Sequence, residues 1–496
     1  MLDLAIRNVK LLDGTGREAF DADVTVDGGR VHSVGRAGAA RREVDGRGAC
    51  LAPGFIDAHS HDDGAFLRLP GMEFKLAQGV TSVVSGNCGF SAMPTRAGTD
   101  LAAASGGILS GLDRAYPDLD SYFAAVCERK PAINNMCLVG HNTLRSQVMG
   151  AAAREPDPRE LAAMRAHVER ALEQGACGFS TGLIYRPGRY SRTEEVIALA
   201  HAAAPYQALY ATHMRNENDR LLEALEEALQ IGREAGVQLH VSHHKSAGKK
   251  NWGKVRDSLA RIDRARAAGQ RVSLDVYPYT AGSGRMVEYF DLKNPNLDLA
   301  EVMRIATCPA FPEFEGRSLT EIARERGLDL ADSVRLVLTA PGGDQTLCIQ
   351  FIIDERDVET NLAYRDMMVG SDGIPDLRGR PHPRLFGTFP RILSRYVRER
   401  GVLTLPEAVR RMTSLPARTF GMRERGELRE GCWADLVLFD PSRVRDTATY
   451  DDPKQAPEGI ELVVVNGAIA YEAGRHTGAG SGKMLRYQRG AFGEVD

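Results

Sequence analysis

The chain of 496 residues is longer than one simple hydrophobic core requires and fits a large barrel or two to three domains. Its 63 Lys and Arg residues against 66 Asp and Glu give a net charge of −3, which provides neither a basic field for nucleic acid nor an acidic tail. Hydrophobic residues make up 43%, without the run of roughly 20 apolar residues that a membrane helix needs. This composition favours a globular protein with a small-molecule partner, and it does not indicate an oligomeric state.

The cysteines and the N-terminal residues predict a cellular compartment. The eight cysteines are scattered without paired spacing, which is typical of free thiols in a reducing environment. Residues 1–30 carry charged residues throughout, with no basic start followed by an apolar block, so we expect no signal peptide. Both features predict a cytoplasmic location.

The two ends of the chain share a sequence pattern that predicts short strands separated by turns. "LDLAIRNVKLLDG" and "ADVTVDGGRVHSVG" near the start alternate apolar with polar residues, and "GCWADLVLFD" and "GIELVVVNGAIAYEAG" do so near the end. We expect residues 1–53 and 415–480 to pair into one small β-sandwich domain, with 481–496 as a C-terminal tail.

Between these ends, apolar runs rich in β-branched residues alternate with helical patterns. The predicted strands cover residues 54–61, 79–88, 134–142, 175–182, 208–215, 237–245, 271–279 and 366–373. After the fifth, Leu222, Leu225 and Leu229 form one apolar helix face, and Gly236 ends the helix. Eight strands separated by helices predict a (β/α)8 TIM-type barrel over residues 54–414. The long gap before the last strand predicts an insertion at 285–350 over the barrel mouth.

Residues able to bind a metal or transfer protons stand at the ends of several predicted strands. They are His59 and His61, Cys88, His213, His243 and His244, and Asp372. Residues two apart on a strand face the same side, so both first-strand histidines can face the barrel axis, whereas the adjacent sixth-strand pair cannot. Converging imidazoles, a thiolate and a carboxylate suit Zn²⁺ with an open position for water. Any one of them alone fits an ordinary core position, but their recurrence at strand ends predicts a metal site.

Asp372 follows the last predicted strand in "VGSDGIP". A carboxylate there can accept a proton from a metal-bound water and return it to a leaving amine. The alternative interpretation is an Asx turn before Gly373, a frequent use of Asp-Gly. The other candidate ligands favour the catalytic interpretation. His141, which ends the third strand in "GHNTLR", is a weaker candidate for lining the same site.

Five motifs between residues 50 and 395 carry a family resemblance: "APGFIDAHSHDD", "GNCG", "ATHMR", "VSHHK" and "PHPRLFGTFPR". Over most of this range, the chain resembles the amidohydrolase superfamily, which shares the first motif. Within it, the chain resembles the N-acyl-D-amino-acid deacylases, or D-aminoacylases, for which the other motifs are more specific. The resemblance implies zinc-dependent hydrolysis of an N-acyl-D-amino acid to a carboxylate and a free D-amino acid. The expected partner is therefore a small N-acyl amino acid, and the D preference comes from the resemblance alone.

The resemblance also implies roles for individual residues. One zinc would be held tightly by Cys88, His213 and His243, and a second, weaker position would be formed by His59 and His61. Asp372 would be the catalytic acid and base. The substrate α-carboxylate would be held by Lys245, Tyr277 and Ser283. Many binuclear relatives bridge their metals with a fourth-strand lysine; since residues 131–244 contain no lysine, Cys88 is the candidate for that role.

Two other functions remain open at this point. A cyclic-amide hydrolase of the hydantoinase or dihydroorotase kind would use the same barrel, but the absent fourth-strand lysine and the presence of "SHHK" argue against it. A non-catalytic barrel scaffold would be expected to lose ligands, and the whole set is present. Arg285, in "GSGRM" just after the predicted carboxylate loop, is a candidate substrate-binding residue that would favour an acidic side chain.

Overall fold

Eight parallel strands form a sheet in the middle of the chain. The computed structural model describes residues 1–98, 108–109, 112 and 114–488. In chain order the strands are Phe55–Asp57, Val80–Ser85, Asn134–Gly140, Gly178–Gly182, Leu209–His213, Leu239–Val241, Val272–Val276 and Met367–Val369. Each strand pairs with the next in this order. Their side chains are buried on both faces, as is typical of parallel sheets covered by helices.

The first and eighth strands close this sheet into a barrel. The main-chain N–H of Asp372 donates to the carbonyl of His59 at 2.8 Å. Next to this hydrogen bond, Ser60 and Gly373 form a parallel bridge. The predicted (β/α)8 barrel is therefore confirmed, and the carboxyl ends of its strands, where such barrels carry their sites, meet on one face.

Helices cover the outside of the barrel. The longer ones are Leu119–Glu128, His141–Met149, Pro158–Glu173, Thr193–Ala200, Leu221–Ala235, Val255–Ala267, Glu355–Ala363, Arg384–Arg391 and Leu405–Met412. Asp157 caps Pro158–Glu173 by accepting from the N–H of Glu160, and proline at the first helical position fits this start. Leu221–Ala235 ends at Gly236, which has a left-handed φ of 70°.

A separate sheet forms from both ends of the chain, as predicted. Its central contact joins Cys50–Pro53 to Leu436–Phe439 in antiparallel register, with Leu51 opposite Leu438. The remaining strands are Leu2–Leu11, Phe20–Asp27, Arg30–Gly35, Ala40–Asp45, Ile460–Val465, Ala468–Glu472 and Arg475–His476. Alternating apolar side chains of these strands form their own buried cluster. The boundaries at residues 53 and 415–480 stay predictions.

The stretch between the last two barrel strands contains a small α/β unit. Its strands Gly282–Arg285, Met303–Thr307 and Leu347–Gln350 form an antiparallel sheet, and its helices are Leu297–Glu301, Leu319–Arg326 and Leu330–Thr339. Ile305, Ile322 and Val337 belong to a buried cluster separate from that of the barrel. Residues of this unit line a cavity together with residues at the carboxyl ends of the barrel strands, so the unit lies over the barrel mouth. Its motion as a lid stays a prediction.

The chain end returns to the barrel. Met484–Leu485 pairs in parallel with the third barrel strand, and residues 489–496 of the predicted tail lie outside the described residues. Within the part of the chain that the structure describes, no helix combines the length and apolar character needed to cross a membrane. The cytoplasmic location stays a prediction.

A buried ion network ties the first strand to the loop after the eighth. The ammonium of Lys75, which has no exposed surface, donates to Asp57 Oδ2 at 2.6 Å and to Ser371 Oγ at 3.0 Å, and Asp62 Oδ2 lies 3.1 Å away. Asp57 Oδ1 accepts from the main-chain N–H groups of Ser371 and His59, at 2.7 and 3.2 Å. The network therefore joins the two segments that carry His59 and Asp372.

Replacing Lys75 by methionine is expected to destabilise the fold strongly. The change keeps the length of the side chain but leaves two buried carboxylates without their cation, and removing one partner of a buried ion pair costs about 3–5 kcal/mol. Urea denaturation should show a clearly lower midpoint. Lys10→Met is the control, since Lys10 pairs with Asp21 at the surface and such pairs contribute about 0–1 kcal/mol. Equal midpoints for the two variants would contradict the prediction.

Candidate active site

Three of the predicted functional residues lie in backbone turns at the strand ends. Cys88, His243 and Asp372 have left-handed φ values of 39°, 35° and 49°, a conformation that residues other than glycine adopt at a cost and that is frequent at functional sites. The turn before Cys88 needs glycine at position 86, because its φ is 80° and a Cβ would meet the carbonyl of Leu138 at 2.3 Å. These turns direct the three side chains toward the barrel axis.

The predicted ligands come together in two groups that share one thiol. Cys88 with His213 and His243 forms one group, and Cys88 with His59, His61 and Asp372 forms the other; in each, the possible ligand atoms lie within 4.8 Å of one another. Cys88 Sγ is 3.1 Å from His243 Nε2 and 3.2 Å from His59 Nε2. His61 Nε2 is 3.0 Å from Asp372 Oδ1.

The donor set of the first group fits a metal ion. Both ring nitrogens of His213 are buried without a hydrogen-bond partner, although Nε2 lies 3.3 Å from Glu217 Oε2. Buried polar atoms are otherwise almost always paired, so these orphan nitrogens indicate a missing ligand. Two imidazoles and one thiol, open to a cavity on one side, match the composition of a catalytic site for a borderline-soft cation.

The electrostatics of the site favour the thiolate form of Cys88. Burial alone would raise the pKa of the thiol, but the charges on His59 and His243 outweigh burial and hold this pKa well below its usual range. At His213, burial and a neighbouring charge also oppose each other. Burial lowers the pKa of the imidazole, but the Glu217 carboxylate outweighs burial and raises this pKa to about 9. The thiolate is the form in which cysteine binds metals.

Asp372 is held ionised between cationic and hydrogen-bonding groups. Burial would raise its pKa, but the Arg384 guanidinium, with Nη1 2.9 Å from Oδ2, and His243 hold that pKa well below the usual range. Its other oxygen, Oδ1, lies 3.0 Å from His61 Nε2 and 3.5 Å from His59 Nε2. The carboxylate is therefore fixed beside His59 and His61, is 8% exposed and lines the cavity.

Asp275, on the seventh strand, supports both groups of ligands. Its Oδ2 lies 3.2 Å from His59 Nδ1 and 2.8 Å from His240 Nε2, and its Oδ1 accepts from the main-chain N–H of His243 at 3.0 Å. A carboxylate on the second nitrogen of an imidazole orients the ring and sets its tautomer. Sequence reasoning missed Asp275, although a single charged residue in the apolar run "VSLDVY" was a usable signal.

Three of the four residues predicted to hold the substrate line the cavity, and Arg285 does not. Tyr277 and Ser283 line the cavity. Lys245 also lines it, and its ammonium donates to both carboxylate oxygens of Glu217 at 2.7 Å. Arg285 donates to the main-chain carbonyl of Asp344 at 2.9 and 3.1 Å, and it is not among the residues that line the cavity. The substrate-binding roles of all four stay predictions.

Sequence reasoning also missed Glu217 and Arg384. Glu217 lies two residues after the quoted motif "ATHMR" and 3.0 Å from His243 Nδ1, and Arg384 lies in the quoted motif "PHPRLFGTFPR". The guanidinium of Arg384 is buried, contacts Asp372 and lies 4.6 Å from the centre of the Tyr277 ring. Both residues stood in or next to motifs quoted from the sequence, but only the fold shows which side chains they meet.

Two other histidines lie outside the ligand groups. His244 points away from the axis, with its ring nitrogens 2.7 Å from Asn361 Oδ1 and 2.7 Å from Ser258 Oγ. His141 lies 2.8 Å from Glu195 Oε1, in a buried cluster with Arg145. Neither is part of the two ligand groups.

A cavity of about 630 Å³ extends outward from the ligands. Its inner end is formed by His213, Lys245, Tyr277 and Asp372, and its outer walls come from the loop after the sixth strand and from the inserted unit. Cavities of this size hold small organic ligands. A molecule bound here would reach the ligand groups with one end and the barrel mouth with the other.

Comparisons with known proteins match this architecture. The amidohydrolase family model matches residues 42–331 and 252–471. The N-acyl-D-glutamate deacylase of Alcaligenes xylosoxydans xylosoxydans is 43% identical over 95% of this chain and 94% of its own, and the D-aminoacylase of the same organism is 42% identical over 97% of each. The crystal structure of N-acyl-D-glutamate deacylase from Bordetella bronchiseptica, complexed with zinc and a phosphonate inhibitor, covers 98% of this chain and 99% of its own at 42% identity, with a TM-score of 0.91. The chain therefore belongs to the amidohydrolase family, in the group that contains the D-aminoacylases and N-acyl-D-amino-acid deacylases.

Proposed function

We propose that this protein hydrolyses the amide bond of N-acyl-D-amino acids and that zinc is its metal. The observation that carries the proposal is the convergence of Cys88, His213 and His243 at the base of an open cavity, with neither His213 ring nitrogen in a hydrogen bond. These three residues would hold one zinc tightly, and His59 and His61 would form a second, weaker position. The relatives support the choice of reaction, since the three that are 42–43% identical over 95–97% of this chain are named N-acyl-D-glutamate deacylase, D-aminoacylase and N-acyl-D-aspartate deacylase.

In the proposed reaction, zinc would activate the water and the acyl carbonyl, and Asp372 transfers the proton. Zinc, when bound, lowers the pKa of a water molecule toward neutrality and polarises an acyl carbonyl. The ionised Asp372 carboxylate accepts the proton of the attacking water and returns it to the amine nitrogen as the C–N bond breaks. Arg384 and His61 hold this carboxylate by its two oxygens, at 2.9 and 3.0 Å, so that its orientation is fixed during both transfers.

The substrate α-carboxylate is placed by Lys245 at the inner end of the cavity. Lys245 lies two residues after the ligand His243, and its ammonium lies 5.6 Å from the centre of the Tyr277 ring. A carboxylate bound to this ammonium and to the Tyr277 hydroxyl would share Lys245 with Glu217. Binding at this end would hold the scissile amide near the ligand groups at the base of the cavity.

The alternatives from the sequence have less support. A cyclic-amide hydrolase shares the barrel, but no observation in the site favours a ring substrate. A non-catalytic scaffold would not need to retain six donor side chains in two converging groups.

Hydrolysis of N-acetyl-D-methionine and N-acetyl-D-glutamate by the zinc-supplied protein, beside their L enantiomers, tests this function. We expect release of the D-amino acids and little or none of the L-amino acids. Zinc content measured on the same preparation shows whether the metal is bound. No release from any of the four, with zinc bound, would overturn the proposal, and turnover of hydantoin or dihydrouracil instead would assign the cyclic-amide reaction.

A further inference from the structure

Sequence identity does not decide which side chain the substrate carries, because the match to an N-acyl-D-glutamate deacylase, 43%, is nearly equal to the match to a D-aminoacylase, 42%. The chemistry of the cavity discriminates better. We propose that this cavity selects substrates with one carboxylate and that the apolar side chain of the D-amino acid packs against Trp252 and Phe351. This inference rests on the proposed function.

Apart from zinc, which would bind the water and the acyl carbonyl, the side chains at the inner end of the cavity offer little positive charge beyond what one carboxylate needs. The Lys245 ammonium is shared by both oxygens of Glu217, and the Arg384 guanidinium pairs with Asp372 at 2.9 Å. An N-acyl-D-glutamate or N-acyl-D-aspartate brings two carboxylates, each of which must be desolvated and paired when it enters a buried site. The α-carboxylate uses Lys245, and Asp372 retains Arg384 during the reaction.

In its described lining, the outer part of the cavity adds one ammonium group without an ion pair, but more carboxylates than ammonium groups. Lys250 pairs with Asp219 at 2.8 Å, which leaves Lys249 as the lining ammonium without an ion pair among the described residues. Asp298 and Glu301 line the same part of the cavity. Carboxylates therefore outnumber ammonium groups along the described cavity lining, five to three. A second anionic group on the substrate would meet repulsion on balance, which is a recognised source of specificity.

The same outer walls carry exposed apolar surface. Trp252 is 39% exposed and Phe351 is 36% exposed, and both line the cavity. Trp252 Nε1 donates to the carbonyl of Ile352 at 3.0 Å, so the indole lies against the segment that carries Phe351. Leu299 and Val302 of the inserted unit extend this surface. Exposed aromatic side chains beside a cavity are typical of a surface that binds an apolar group.

Arg285 is the residue that would favour an acidic side chain instead. Its guanidinium is engaged by the main-chain carbonyl of Asp344, and its side chain does not line the cavity. To bind a substrate carboxylate, Arg285 would have to leave these hydrogen bonds and cross into the cavity. The two assignments therefore make opposite predictions for N-acyl-D-glutamate.

The first test compares kcat/KM for N-acetyl-D-leucine and N-acetyl-D-glutamate, which have side chains of similar size. We expect leucine to be favoured by about tenfold or more, the range over which pockets discriminate by contact and charge. A ratio of one or below would overturn this inference while leaving the deacylase function intact. Hydrolysis of neither D substrate, with zinc bound, would overturn the proposed function and this inference together.

Variants of the outer wall test the assignment of the apolar surface. Trp252→Ala and Phe351→Ala should each lower the ratio of kcat/KM for N-acetyl-D-leucine over N-acetyl-D-alanine by about threefold to tenfold. Leu328→Ala is the matched control, since Leu328 is as exposed as Phe351, belongs to the same inserted unit and does not line the cavity. An unchanged ratio in both variants would overturn the assignment, as would a selective loss on N-hexanoyl-D-alanine, which would assign the surface to the acyl chain.

Reversing a charge in the cavity lining should increase, rather than decrease, the relative activity on the acidic substrate. Glu301→Lys replaces a carboxylate at the cavity lining by a cation, so it should raise kcat/KM for N-acetyl-D-glutamate relative to N-acetyl-D-leucine by about threefold or more at low salt. Glu301→Gln should give a smaller change in the same direction. A ratio that does not respond to either variant would contradict the electrostatic part of the inference.

Discussion

Replacing Asp372 by asparagine is expected to lower kcat by roughly 10²–10⁴-fold, the usual contribution of a general acid and base. The amide has nearly the same shape, but it cannot accept the proton of the attacking water. Because Asp372 is not part of the group formed by Cys88, His213 and His243, the variant should retain its tightly bound zinc. Steady-state kinetics and zinc analysis of the same preparation separate the two effects.

The control for this variant is Asp376→Asn. Asp376 lies on the same loop and is also buried, but its carboxylate pairs with Arg378 at 2.7 Å and faces no predicted ligand. It should keep kcat within a small factor of the parent value. A fall in kcat of the same size in both variants would assign the effect to the loop rather than to proton transfer. Loss of zinc from Asp372→Asn would instead make Asp372 a ligand of the tight site.

The barrel and the positions of the predicted ligands follow from local features of the sequence. Short β-branched runs alternating with helical patterns predict the eight strands, and a strand end in such a barrel necessarily lies near the others. His59, Cys88 and His213 could therefore be placed near one another without knowledge of side-chain contacts. The resemblance to known deacylases then separated His243 from its neighbour His244.

The groups around the ligands could not be predicted in the same way. Asp275, Glu217 and Arg384 act through partners on other strands or loops, and nothing in their own neighbourhood of the sequence specifies those partners. Their pairing depends on register and on turns such as that of Asp372, with its φ of 49°. The inserted unit was predicted from a loop length, which gives no information about the cavity wall that it forms.

Replacing Cys88 by alanine is expected to remove both metal positions together, because its thiol is the one atom common to the two ligand groups. Zinc affinity should fall by more than about 100-fold, since loss of a partner outside the ligand shell already costs about 10–100-fold. Activity should fall below detection at ordinary zinc concentrations. Zinc content after dialysis, and kcat against added zinc, measure the two losses separately.

Cys177→Ala distinguishes loss of a ligand from loss of a buried thiol. Cys177 is also buried and free, but it lies at the start of the fourth strand, away from the ligand groups, and burial raises the pKa of its thiol. Both substitutions remove the same sulfur from a packed interior, so a fall in thermal stability common to the two reflects packing. Only Cys88→Ala should lose zinc, because Cys88 belongs to both ligand groups and Cys177 belongs to neither. If Cys88→Ala kept its zinc and activity, the four histidines and Asp372 would have to form the metal centre without sulfur.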